Sequence, residues 1–113
     1  MSESIGTEWE QTLCNLILHG GDARCAAKEA ADYAAEHQWP EADAAMKRAN
    51  EAQLAAHKIQ GEILRREARG EAVPFSILLV HSLDLLLLAW AEIDYAEQFI
   101  KLHRRIAELE AKP

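Results

Sequence analysis

Residues Phe75 to Ala91 read FSILLVHSLDLLLLAWA, a stretch that is almost wholly apolar. Only His81, Ser82 and Asp84 interrupt it in its middle. Leu79, Leu83, Leu86, Trp90 and Ile93, then Ile100, recur at three- and four-residue spacing, the period of one face of an α-helix. A second stripe, Ile77, His81, Asp84, Leu88 and Ala91, lies on a different face, and Leu78, Leu85 and Ala89 mark a third. A helix in a three-helix monomer buries only part of its circumference. The surplus apolar surface therefore predicts an oligomer, with this helix lining the axis of an odd-numbered symmetric assembly.

The two flanking segments carry seams of the same spacing. Upstream, Leu13, Leu16, Gly20, Ala23, Ala27, Ala30 and Ala34 fall in register; then Ala45, Ala49, Ala52, Ala56, Ile59 and Ile63 do so. Pro40 and Pro74 divide the chain into three, and proline is preferred in the first turn of a helix. Trp39-Pro40-Glu41 thus reads as a turn into the second helix, and Arg69 to Pro74 as the loop into the third. No strand alternation, repeat or low-complexity tract is present. The expected fold is all-α: one domain over 1–113, an antiparallel up-down-up bundle with helices near 5–37, 40–69 and 75–110, assembling as a homotrimer. Gly20-Gly21 falls inside the first helix, where each glycine costs about 1 kcal/mol against alanine. The pair marks either a kink or close helix contact, or a break between two shorter helices.

Composition excludes several functions. The 113 residues include 19 acidic and 12 basic side chains, for a net charge of -7. Arg65, Arg66 and Arg69 are interleaved with Glu62, Glu67 and Glu71, which argues against nucleic-acid binding. The opening MSESIGTEWE is acidic and polar, unlike a secretory leader. The apolar run carries a His and an Asp at its middle and is read as buried in protein rather than lipid. Cys14 and Cys25, roughly 16 Å apart along one helix, cannot pair with each other, which suits a reducing cytoplasm.

His81 and Asp84, three apart, share a helix face. From the residues alone His81 is either a satisfied core histidine or a functional group with an ionisable neighbour. His19, with Asp22 three residues on, is a weak ligand candidate; His37 at the end of the first helix suits the helix dipole, and His37 and His103 read as surface residues. No His follows a Glu by three residues, so the di-iron bundle pair is absent. His-Glu-x-x-His, phosphate-cradling glycine loops and Gly-x-Ser-x-Gly are absent too.

Four stretches resemble one family. They are Leu18-His19-Gly20-Gly21-Asp22-Ala23-Arg24, Ala56-His57-Lys58-Ile59-Gln60, Glu67-Ala68-Arg69-Gly70-Glu71 and Leu78-Leu79-Val80-His81-Ser82-Leu83-Asp84. In order and spacing they are similar to the lactose/cellobiose-specific IIA component of the bacterial phosphoenolpyruvate-dependent sugar phosphotransferase system. The resemblance runs from about Glu8 to Arg105. It implies a cytoplasmic homotrimer in which His81 accepts a phosphoryl group from HPr and passes it to a cysteine of IIB. It also implies that Asp84 from three subunits meets at the axis, where a divalent metal ion can bridge the carboxylates. The chain departs from the family where Leu83 replaces a glutamine and Leu85 a histidine. Those departures, with the alanine-rich stretches, leave open an alternative: a trimeric structural subunit, natural or engineered for self-assembly with a designed partner, that keeps the fold without the chemistry.

Overall fold

The computed structural model describes residues 2–113, with side chains from Glu8 onward. Met1 and the side chains of the acidic leader MSESIGT lie outside the described residues. The helices are α1 (Ser2–Ala35), α2 (Trp39–Ala68) and α3 (Ile77–Ala111). Together they form a rod of 70 × 22 × 19 Å. One core cluster joins Ala23–Ala34 of α1 to Ala42–Ala49 of α2 and Ala89–Ile100 of α3. The other joins Leu13 and Leu16 to Ala56 and Ile63 and to Leu79 and Leu86. Numbers rise together in α1 and α3 and fall in α2, so the bundle runs up, down, up. α2 and α3 touch each other least.

Both connections close with the same device. Past α1, the His37 N–H donates to Ala34 O (3.0 Å) and the Gln38 N–H to Tyr33 O (2.9 Å). Past α2, the Gly70 N–H donates to Glu67 O (3.0 Å) and the Glu71 N–H to Arg66 O (3.0 Å). This pattern satisfies the last carbonyls of a helix and needs a left-handed residue after it. Gly70 adopts φ 80° without a side-chain penalty, whereas His37 adopts φ 61° against one. The His37 ring stacks on Trp39 at 5.5 Å, and the Arg104 guanidinium lies 4.6 Å from the same indole. These contacts offset the backbone cost. Pro40 sits in the first turn of α2 as expected. Pro74 does not open α3: Ser76 caps the helix, its Oγ accepting from the Leu79 N–H at 3.0 Å.

Gly20-Gly21 neither breaks nor ends α1. A β-carbon on Gly20 would lie 3.9 Å from the backbone of Leu85 and Leu86, so this glycine marks a close helix approach. In α3 the buried residues are Leu79, Ser82, Leu86, Ala89, Ile93, Ala96 and Ile100. Large and small side chains alternate at four- and three-residue steps. The centre of the buried arc falls between the two sets, which puts Leu83 and Trp90 at its border instead of in it. Leu83 is half-buried, and Trp90 is exposed beside the His57 ring, 5.3 Å away.

α2 carries an internal conflict. Gln53 is only 5% exposed, and neither amide atom has a hydrogen-bond partner in the bundle. A buried polar group left unsatisfied costs about 1–3 kcal/mol. Gln53→Met keeps the length and removes the polar atoms. It is expected to stabilise the fold by about 1–2 kcal/mol in urea unfolding; a loss of stability would show that the amide is satisfied in solution.

Candidate functional site

α3 carries two apolar stripes, and the outer one holds the site. Stepping along α3 at 3.6 residues per turn from Ile77 gives His81, Asp84, Leu88, Ala91, Tyr95, Phe99, Leu102, Ile106 and Leu109. Every one of these is exposed, Ile77 at 80% and Tyr95 at 64%. His81 and Asp84 are the two ionisable interruptions near its start, with the Tyr95 phenol further along. The core-histidine reading of His81 is therefore incorrect. Of the three polar residues in the middle of the apolar run, the buried one is Ser82, and its Oγ donates to Leu79 O at 2.8 Å. This local bond lets a hydroxyl sit in a small-residue core position.

The surroundings of His81 follow from helical position. Leu78 and Leu85 are half-buried on the flank towards α1, and Leu88 lies one turn beyond Asp84 on the outer face. Leu79, two residues before His81, faces the core. Leu83, where the family has glutamine, packs against the core cluster that includes Leu79 and Leu86. Its loss of polarity serves burial, so the departure has a packing reason.

One interaction ties α3 at its middle and another holds the loop before it. The Arg24 guanidinium donates to Glu92 Oε1 at 3.0 Å, tying α1 to α3. That hydrogen bond, with the Glu92 charge, raises the Arg24 pKa above its ordinary value. In the loop before α3, Arg66 donates to Ala72 O at 3.2 Å and lies over the Trp9 ring. The Glu71 carboxyl is held below the usual carboxylate range by its hydrogen bond from Arg69, then by the charges of Arg69 and Arg66. The loop before α3 is thus tied to α2, and the middle of α3 to α1.

The remaining histidines are dispersed. His37 and His57 are exposed; His19 is half-buried, and so is His103, which reads as a surface residue in the sequence. Among the described residues, no three His, Cys, Asp or Glu side chains of one subunit are grouped to hold a metal ion. Among the described residues, no helix is long and apolar enough to cross a membrane. Between α1 and α3 runs an open groove of about 790 Å³, lined among others by Gly21, Arg24, Lys28, Tyr95 and Phe99.

Residues 11–104 match the family described as PTS system, Lactose/Cellobiose specific IIA subunit. The chain belongs to this family. The IIA fold extends to solved structures: the cellobiose-specific enzyme IIA from Bacillus anthracis superposes with a TM-score of 0.85 at 42% identity, covering 93% of this chain and 94% of that one. The lichenan-specific phosphotransferase enzyme IIA component of Bacillus subtilis is 37% identical over 104 residues, covering 92% and 94%. The cellobiose-specific EIIA component of Lactococcus lactis subsp. lactis is 31% identical over 97 residues, covering 86% and 84%. In this IIA chain the first two motif stretches reach α3 just beyond the fourth. Gly20 approaches Leu85 and Leu86, Arg24 reaches Glu92, and His57 lies against Trp90.

The Gly20 approach is testable. At 3.9 Å a methyl is in ordinary contact, so Gly20→Ala gains helix propensity and is expected to be neutral or stabilising by up to about 1 kcal/mol. Gly20→Leu forces α1 off α3 and should cost about 1–3 kcal/mol by thermal unfolding. Equal tolerance of both would mean the helices are further apart than described here.

Proposed function

We propose that this IIA chain is a phosphoryl carrier of a sugar phosphotransferase system, with His81 as the phosphoacceptor. The observation that carries the reading is the exposure of His81 on a rigid helix, anchored at its start, within the matched region. A neutral imidazole is nucleophilic near neutral pH. A ring nitrogen of His81 forms the new N–P bond as the bond to HPr breaks. A IIB cysteine sulfur then forms an S–P bond as the N–P bond breaks, which regenerates the imidazole. The chemistry places few demands on the protein beyond position and charge stabilisation. Leu78, Leu85 and Leu88 limit water at one side of the ring and slow hydrolysis of the phosphoramidate.

The working unit in this reading is a homotrimer closed around α3. The outer stripe is the motive: a helix that is apolar all round has to be covered all round. A rod of 12.6 kDa exposing 7573 Å² also exceeds the roughly 6,200 Å² of a compact monomer of that mass. Covering the stripe brings three Asp84 carboxylates to the axis, where like charges need compensation. A divalent cation fits an all-oxygen set of this kind. Asp84 would hold it, and it would neutralise the axial charge without entering phosphoryl transfer.

Incubation with phosphoenolpyruvate, enzyme I and HPr is expected to add one acid-labile, base-stable phosphoryl group per chain, read by intact mass. His81→Gln should abolish it. The Leu85 departure predicts slower transfer, by roughly tenfold to a hundredfold if a family hydrogen bond to a charged group is lost. No adduct on the folded protein would overturn the carrier reading in favour of a purely structural subunit.

A further inference from the structure

The α1–α3 groove contains features that one subunit does not explain. Gly21 lines it, yet nothing lies within 4 Å of where its β-carbon would stand. A helix-interior glycine costs about 1 kcal/mol against alanine, and here no contact within the chain requires it. Lys28 and Asp32 line the same groove and are exposed. On the opposite flank of α3, the side bordering α2, stand Leu87, Asp94 and Lys101, also exposed. Among the described residues, Lys28, Asp32, Asp94 and Lys101 form no ion pair within the subunit.

Symmetry relates the two flanks. If α3 lines a three-fold axis, the flank of each α3 that borders its own α1 faces the neighbour's flank that borders α2, because a rotation pairs unlike surfaces. Rotation about an axis parallel to the helices preserves height. Within a subunit, Gly20 is level with Leu85 and Leu86, and Arg24 reaches Glu92. On that register Gly21 stands level with Leu87, and Lys28 with Asp94. Both pairs are separated by the same seven residues, two helical turns. Asp32 and Lys101 come within reach of a long side chain one turn further on. The order along the groove, open glycine, base, acid, meets leucine, acid, base on the other flank.

We propose that the α1–α3 groove of each subunit is the socket for α3 of a second copy, with the neighbour's Leu87 seated over Gly21 and its Asp94 paired to Lys28. The inference rests on the trimeric reading above and goes beyond it by assigning the contacts that set the register. It also explains Gly21: any side chain there occupies the space that Leu87 needs. Asp94 and Lys28 then select the correct partner height: a shift of one turn sets Asp94 either against Asp32 or beside Arg24, whose guanidinium is already paired to Glu92.

The test uses the full chain in sedimentation velocity over a concentration series at low salt. Lys28→Glu and Asp94→Lys are each expected to weaken assembly by at least about tenfold, because symmetry repeats each lost pair three times. The double exchange should restore it, and the single effects should shrink in high salt. Gly21→Leu, in an open helical position, should retain full helix content by circular dichroism while losing assembly. A trimeric wild type with unaffected single variants, no rescue in the double exchange, or a Gly21→Leu variant that assembles normally overturns the socket and leaves the trimer standing. A wild type that stays monomeric overturns the trimer itself.

Discussion

α3 must be covered on two sides at once. Its inner stripe of alternating large and small residues is buried by α1 and α2. Its outer stripe, from Ile77 to Leu109, is nearly as apolar and faces solvent in one subunit. No three-helix bundle can cover both, because a helix offers only one face to two neighbours. The small core residues follow from the same constraint. Ala23, Ala27, Ala30, Ala45 and Ala49 let α1 and α2 close on each other, while the bulk of the apolar surface is placed on α3. The hydrophobic effect that forms the monomer therefore leaves an equally strong demand for a partner.

The proposed site residues sit where these demands meet. His81 lies near the start of the outer stripe, on the side towards the α1–α3 groove, and Asp84 lies one turn further along. In the proposed assembly, the carboxylate goes to the axis and the imidazole to the flank, where it stays reachable by a partner protein. A phosphoryl carrier needs this division: a rigid scaffold beneath the acceptor and open access in front of it. The Arg66–Ala72 contact holds the loop before α3, and the Arg24–Glu92 pair holds the helix about three turns past His81.

Much of this was legible in the sequence, for identifiable reasons. The three seams, the two connections and the oligomeric surplus of α3 rest on periodicity and proline placement, which are local signals. The α1 seam is buried throughout, Leu13 to Ala34. Other features depend on three-dimensional phase. Ser82 and Gln53 fall outside the apolar seams legible in the sequence, yet both are buried, Ser82 with its hydroxyl bonded back to Leu79 O. Trp90 was expected in the core because it is large and apolar, yet the small residues Ala89 and Ala96 hold the core phase. His37 carries no sequence mark of a left-handed residue, whereas Gly70 does. His81 stands out in the sequence as a polar residue in its helix, but its exposure cannot be read from a run that is apolar on every face.

The most direct test of the account is the solution mass of the unmodified chain by sedimentation equilibrium at micromolar concentration. Burial of the outer stripe predicts three times the 12.6 kDa chain mass. A single species at the mass of one chain would contradict it, since the apolar face of α3 would then stand in water without a partner.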